Sequence, residues 1–120
     1  MRHPRYVLDA RRREIVLKSI EQVCLHHNWT LIAAHVRTTH VHVLVDADSA
    51  PETIMHAFKA YASRNLNLHE AETTRWTRHG STRYLWSRDD VTEAADYVIR
   101  RQGEAMAVFP GDRSVTVAAR

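Results

Sequence analysis

Residues 29–46, with the sequence WTLIAAHVRTTHVHVLVD, decide the fold class of this chain. They contain two β-rich runs, 29–36 and 40–46, joined by the short segment Arg37-Thr38-Thr39, and this pattern predicts a β-hairpin. The second run alternates, and successive side chains of a strand point to opposite faces of a sheet. Two sets of residues are therefore expected to face opposite sides: Val41, Val43 and Val45 on one, and His40, His42 and Leu44 on the other.

Three helical patterns flank the hairpin, each with a capping signal at its start. The second of them begins with the capping box Ser49-x-x-Glu52, and Pro51 lies inside this box. The third stops at Gly103. The predicted helices run from Asp9 to about His27, from Ser49 to about Asn67, and from Asp89 or Asp90 to Gln102.

This order of elements predicts an α+β sandwich, with an antiparallel sheet and helices on one face. Residues 81–86 are a candidate third strand. A ferredoxin-like arrangement needs one more strand before the first helix, and only residues 6–8 are suited to it, so this strand is expected to be short or missing. One domain is expected over residues 1–103, followed by a weakly ordered tail over 104–120.

Composition narrows the class of protein. No apolar stretch approaches the roughly 20 residues of a membrane span. The polar N-terminus gives no sign of a signal peptide, and the single cysteine, Cys24, lies at a core position of the first helix. These features predict a cytoplasmic protein. Fifteen arginines against two lysines favour a partner that carries phosphate, since arginine forms planar, bidentate contacts with it.

His40-Val41-His42 is the sharpest chemical feature. Positions i and i+2 of a strand share a face, with Cα atoms about 6.5–7 Å apart. Two imidazoles placed in this way can bind one cation, although two polar residues on the solvated face of a strand give the same pattern. His35, on the neighbouring strand, is either a third ligand or a core histidine with satisfied hydrogen bonds, and the second interpretation is favoured.

Two tyrosines are candidate nucleophiles. Tyr61 falls in the apolar stripe of its helix, which is usually a core position. Tyr97 lies off the apolar stripe of the last helix, where its hydroxyl is free to leave the core. The pattern therefore favours Tyr97.

These residues resemble a known family, the single-tyrosine HUH transposases, which includes insertion-sequence and REP-associated tyrosine transposases. Residues 39–45 (THVHVLV) resemble the His-hydrophobic-His motif of this family, and residues 29–36 resemble the strand before it. Residues 58–64 (FKAYASR) are similar to its lysine-containing helix, residues 81–86 to its last strand, and residues 95–99 (ADYVI) to the helix that bears the nucleophile. The resemblance covers about residues 6–103.

The resemblance implies a ferredoxin-like domain that nicks and rejoins single-stranded or hairpin DNA. In such enzymes the two histidines, here His40 and His42, hold Mg²⁺ or Mn²⁺. Of these two ions, imidazole ligands favour Mn²⁺ over Mg²⁺. A tyrosine, here Tyr97, attacks the phosphate and forms a 5′-phosphotyrosine bond. A tyrosine hydroxyl is a weak nucleophile, so a Lewis acid that stabilises phosphoryl charge suits this chemistry.

The third metal ligand of the family is a Gln or Asn four residues after the tyrosine. Here that position is Arg101, and the amide, Gln102, follows at five. Gln102 is the candidate third ligand, and its displacement keeps open an alternative, a non-catalytic or domesticated module that binds single-stranded nucleic acid. The resemblance also leaves open whether the tyrosine acts within one chain or across a homodimer.

Several basic residues are candidates for a DNA path, and the indoles of Trp76 and Trp86 are candidates for stacking on bases. An ordinary solvated arginine is the alternative for each basic residue. The candidates are Arg37, Lys59, Arg64, Arg75, Arg78, Arg83, Arg100 and Arg101.

Overall fold

The computed structural model of the chain describes residues 6–76 and 87–110. These residues form three helices and three strands, named here in chain order. They are α1 Ala10–His27, β1 Thr30–Val36, β2 Val41–Asp46, α2 Pro51–Asn67, α3 Arg88–Arg100 and β3 Ala107–Phe109.

The strands of the described residues form one antiparallel sheet in the order β2-β1-β3. The hairpin predicted from residues 29–46 is confirmed as β1 and β2. His35 pairs with His42 on β2 and with Val108 on β3, so these three residues lie side by side across the sheet. The register shifts between Leu31 and Ala33, which marks an irregularity in β1. β1 is thus the central strand of this sheet.

The first helix forms where its capping residues predict it. The Asp9 side chain accepts a hydrogen bond from the backbone N–H of Arg12, and Asn28 ends the helix in the left-handed conformation with φ 58°. The other two helices begin differently from the prediction. Ala50, without a side-chain bond, takes the N-cap position instead of Ser49, and Ser87 caps α3 in place of Asp89 or Asp90. The last helix ends at Arg100, so Gln102 lies beyond it.

The α+β class and the antiparallel sheet are confirmed, but the helices lie on both faces. α1 and α2 pack with Val41, Val43 and Val45 on one face, as the alternation predicts. The buried residues of α3 pack on the opposite face against Ala33, together with Ile32, Leu44 and Val108. The expectation of helices on one face was wrong for α3 because β1 is apolar on both sides, and a strand of this kind needs a cover on each face.

The strand β3 was not predicted, and it lies in the segment for which weak order was expected. It is three residues long and pairs with the end of β1. No strand precedes α1 among residues 6–9, where Leu8 is buried and its N–H donates to the Thr38 carbonyl at 2.8 Å. The candidate strand over residues 81–86 lies outside the described residues. No described helix combines the length and the apolar character that crossing a membrane requires.

Candidate active site

His40 and His42 lie on the face of the sheet that α3 covers. Their rings are nearly parallel, with an interplanar angle of 11° and centroids 6.3 Å apart. His40 is exposed, and its Nδ1 lies 2.9 Å from the Thr39 hydroxyl. Burial lowers the pKa of the half-buried His42, and nearby positive charge, first that of His40, lowers it further. A neutral imidazole keeps the lone pair that a metal ion needs.

His35 is fully buried beside this pair and is saturated with hydrogen bonds. Its Nδ1 lies 3.0 Å from the Val98 carbonyl oxygen, and its Nε2 lies 3.1 Å from the Met106 backbone nitrogen. Burial lowers the pKa of this imidazole, against the opposing effect of the bond to Val98. The interpretation as a core histidine is confirmed, since neither ring nitrogen is left for a cation.

His40 and His42 therefore remain the candidate imidazole ligands on this face of the sheet. No group of three or more His, Cys, Asp or Glu that could hold a metal ion occurs among residues 6–76 and 87–110. The Gln102 side-chain nitrogen is buried and finds no hydrogen-bond partner within the same ranges. The oxygen and nitrogen of an amide exchange places by a half turn. A buried amide without a partner is consistent with a ligand role, and two imidazoles with one amide oxygen form a donor set that suits Mn²⁺.

The two candidate tyrosines occupy contrasting positions. Tyr97 is 51% exposed on α3, and its chain neighbour Val98 is buried against the sheet. Tyr61 is half-buried and packs on the core between α1 and α2, 6.2 Å from the His26 ring. Helical phase predicted both placements correctly. The His35 side chain bonds to the Val98 carbonyl of α3, and the backbone of His35 pairs with that of His42 on β2. The buried His35 side chain therefore lies between α3, which carries Tyr97, and the sheet that carries His42.

The basic candidates for a DNA path differ in how far they are engaged within the chain. Arg37, in the hairpin loop, donates to the Glu104 carbonyl oxygen at 2.9 Å. Arg100 and Arg101 both pair with Asp96, at 3.0 and 3.2 Å. Exposed Arg64 lies over the Tyr61 ring.

The remaining basic and aromatic candidates are Lys59, Arg78, Arg83, Trp76 and Trp86. Lys59 is half-buried on α2. Trp76 packs on the core and donates from its indole N–H to Ser63 at 2.7 Å, so its ring serves packing. Arg78, Arg83 and Trp86 lie outside the described residues.

One polar cluster, centred on Glu70, has no signature in the sequence. The Glu70 carboxylate binds Arg12 at 2.8 Å, the Tyr6 hydroxyl at 2.8 Å and Arg75 at 3.2 Å. Its members are separated by up to 69 positions along the chain, and no local pattern signals such a cluster. The Arg75 side chain is only 1% exposed, which removes it from a surface path for DNA.

Comparison with known proteins gives one match. The model of a family described as "Transposase IS200 like" matches residues 2–95. This range includes His40 and His42 and ends two residues before Tyr97. No curated protein and no solved structure matches the chain.

Proposed function

The chain belongs to the family of IS200-like transposases, and we propose that it nicks single-stranded or hairpin DNA and transfers the strand through a 5′-phosphotyrosine bond. The family acts in DNA transposition and is generally dependent on a divalent metal ion. One observation carries the finer proposal. The parallel rings of His40 and His42 lie on the sheet face that α3 covers, and α3 presents an exposed tyrosine.

In the proposed reaction the Tyr97 oxygen attacks the scissile phosphorus. A bond forms between this oxygen and phosphorus while the bond to the 3′ oxygen breaks. The tyrosine loses its proton to solvent and the departing 3′ oxygen takes one up. Attack by another 3′ hydroxyl reverses the step and joins two strands, and the phosphotyrosine ester conserves the bond energy in the interval, so no nucleotide cofactor is needed.

His40 and His42 would hold Mn²⁺ or Mg²⁺, which supplies Lewis acidity to the phosphate when bound. The lowered pKa of His42 keeps its imidazole neutral and available near neutral pH. Gln102 is the proposed third ligand. Because α3 ends at Arg100, Gln102 belongs to the turn after the helix, and its position relative to Tyr97 is set by this turn instead of by helical phase.

Contacts with the DNA backbone are proposed for basic residues on both sides of the sheet, those of α2 on one side and those at the end of α3 on the other. Arg64 is exposed on α2, and Arg100 and Arg101 are more than half exposed despite their pairing with Asp96. An exposed ion pair contributes little to stability, so phosphate can replace Asp96 as the partner at small cost. Arg37 and Lys59 are less exposed, and Arg83 remains a prediction from the sequence.

A search for the covalent intermediate tests the proposal. Labelled single-stranded hairpin DNA is incubated with the protein and Mn²⁺, and adducts that survive denaturation are separated on a gel. We expect Tyr97→Phe to abolish the adduct while leaving folding, metal binding and DNA affinity nearly unchanged, because it removes only the attacking oxygen. Tyr61→Phe is the matched control and should retain the adduct.

The alternative of a non-catalytic binding module has its own signature in this assay. If neither tyrosine carries DNA under Mn²⁺ while binding persists, the chain binds single strands without cleaving them. The end of the family match before Tyr97 gives this alternative its weight. A nucleotide mapped to Tyr61 would instead transfer the catalytic role to α2, with Asn65 as the amide one helical turn further along.

A further inference from the structure

His35 is the largest polar side chain buried in the core of the described residues, and its hydrogen bonds have only one consistent arrangement. The Met106 N–H can only donate, so Nε2 of His35 must accept from it. The Val98 carbonyl can only accept, so Nδ1 must carry the proton and donate. The Arg37 guanidinium lies 3.4 Å from the same Nε2, which fits an acceptor there. One neutral tautomer therefore satisfies all three neighbours.

The bond to Val98 satisfies one of the terminal carbonyls of α3. The last four carbonyls of a helix have no partner within the helix. The Arg101 N–H donates a hydrogen bond to the Tyr97 carbonyl at 3.2 Å, and Nδ1 of His35 donates one to the carbonyl of the next residue, Val98. The helix terminus is thus fixed to the central strand at the residue that follows Tyr97.

The bond to Met106 fixes the turn between α3 and β3. Arg37 reinforces it from the same side by donating to the Glu104 carbonyl at 2.9 Å. Gly103 has φ +83°, and a Cβ at this position would lie 3.2 Å from the Arg37 Nη2 atom. The turn that carries Gln102 is therefore held against the strand by two side chains and fits closely over one of them.

We propose that His35 is a positioning residue that holds the Tyr97 helix and the Gln102 turn at a fixed place relative to His42, its partner across the sheet. The inference rests on the proposed function for its catalytic consequence, whereas the mechanical role stands on the contacts alone. The His35 ring is fully buried and both of its nitrogens are engaged within the chain, so a positioning role suits it better than a direct role in the reaction. It acts because one imidazole joins α3, the turn before β3 and the strand paired with β2.

Amide hydrogen exchange of the free protein tests the mechanical role without reference to activity. In His35→Leu the Met106 amide loses its acceptor, and we expect it to exchange about tenfold faster. Amides at the end of α3 should follow. Ser19→Ala is the matched control, because Ser19 is also a fully buried polar residue but bonds to Ile15 and Asn65 on the other face of the sheet. It should leave these amides unchanged.

Two conservative variants of His35 test its two main hydrogen bonds, that of Nδ1 and that of Nε2, one at a time. The amide nitrogen of His35→Asn can replace Nδ1 as the donor to Val98, whereas the amide oxygen of His35→Gln can replace Nε2 as the acceptor from Met106. We expect the first to restore protection at the end of α3 and the second to restore it at Met106. Should His35→Leu fail to fold, Arg37→Met provides a second measurement, with faster exchange expected at residues 104–106.

The catalytic consequence is measured as the single-turnover rate of adduct formation with saturating DNA and Mn²⁺. We expect His35→Leu to lower this rate by about 10²-fold while the DNA concentration at half-saturation stays the same, because misplacement of reacting groups reduces the rate of the chemical step. Unchanged exchange at Met106 overturns the positioning role. Faster exchange with an unchanged rate overturns its part in the reaction. A parent protein that forms no adduct contradicts the proposed function, and exchange then still decides the mechanical role.

Discussion

At the scale of single residues, the placement of His40 and His42 on one face of the sheet is the feature on which the proposed metal site depends. Their rings project from one face and stay nearly parallel, so one ion can contact both with small side-chain rotations. We expect the double variant His40→Ala/His42→Ala to lose Mn²⁺ binding in a calorimetric titration, because imidazole nitrogens are the strongest ligands for this ion in the set. His56→Ala, which removes an exposed histidine of α2, is the control and should bind as the parent does. Equal binding by the double variant would contradict the site.

Cys24 belongs to a reactive residue type, but its position in the core should make it unreactive in the folded protein. Burial raises the pKa of its thiol to about 11. The thiolate is the reactive species, so the folded protein should be inert towards a thiol reagent such as dithionitrobenzoate at neutral pH. Addition of denaturant should release one reactive thiol for each chain. Rapid labelling of the native protein would show that α1 opens easily or that Cys24 is not in the core.

The placement of single residues was predictable where it follows from periodicity. Strand alternation placed His40 and His42 on one face, and helical phase distinguished exposed Tyr97 from half-buried Tyr61. The saturated bonds of His35 were not visible in this way, because Val98 and Met106 lie 63 and 71 positions further along the chain. Sequence patterns predict the face on which a side chain lies, but they do not predict which distant backbone group forms a hydrogen bond with it there.

At the scale of elements, the Glu70 cluster fixes the end of α2 to the start of α1. Burial alone would raise the pKa of the Glu70 carboxyl, but hydrogen bonds from Arg12, Tyr6 and Arg75 lower it below the ordinary value of 4.5. A carboxyl with a lowered pKa in the folded state stabilises the fold above its unfolded pKa. This stabilisation is lost as pH falls below about 4.5, because protons then bind the unfolded chain more readily.

We therefore expect the free energy of unfolding, measured with urea between pH 3 and 7, to fall below about pH 4.5. Glu70→Gln should be less stable than the parent at pH 7, and its stability should depend less on pH in the acidic range. Glu72→Gln changes an exposed carboxyl nearby and is the control, which should keep the parent's profile. An unaltered acidic slope in Glu70→Gln would mean that other carboxyls carry the effect.

The elements themselves divide into predictable and unpredictable ones for a physical reason. α1, α2, β1 and β2 carry strong local signals, and each was predicted within a few residues. β3 is too short for its own pattern and forms because β1 offers it backbone groups to pair with. The side of the sheet that α3 covers depends on burial of β1 on both faces, which is a property of the assembled layers.

At the scale of the whole molecule, the arginine content does not translate directly into contacts with DNA. Several guanidinium groups have partners within the chain: carboxylates in some cases and backbone carbonyls in others. These are Arg12, Arg13, Arg37, Arg75, Arg100 and Arg101. Composition therefore correctly favoured a partner with phosphate groups as a class, whereas the number of available arginines is set by tertiary contacts.

The salt dependence of DNA binding measures the number of contacts between basic side chains and DNA phosphates. Each phosphate contact with a single strand contributes about −0.7 to the slope of log K against log salt concentration, so three to five contacts give about −2 to −3.5. Exposed Arg64 should be one of them, and we expect Arg64→Gln to make the slope shallower by about 0.7. Arg11→Gln removes the same charge from an arginine that contacts His69, and should leave the slope unchanged. A slope near zero would contradict DNA as the partner. A slope steeper than about −7 would require some ten contacts, and the internally paired arginines would then have to exchange their partners for phosphate.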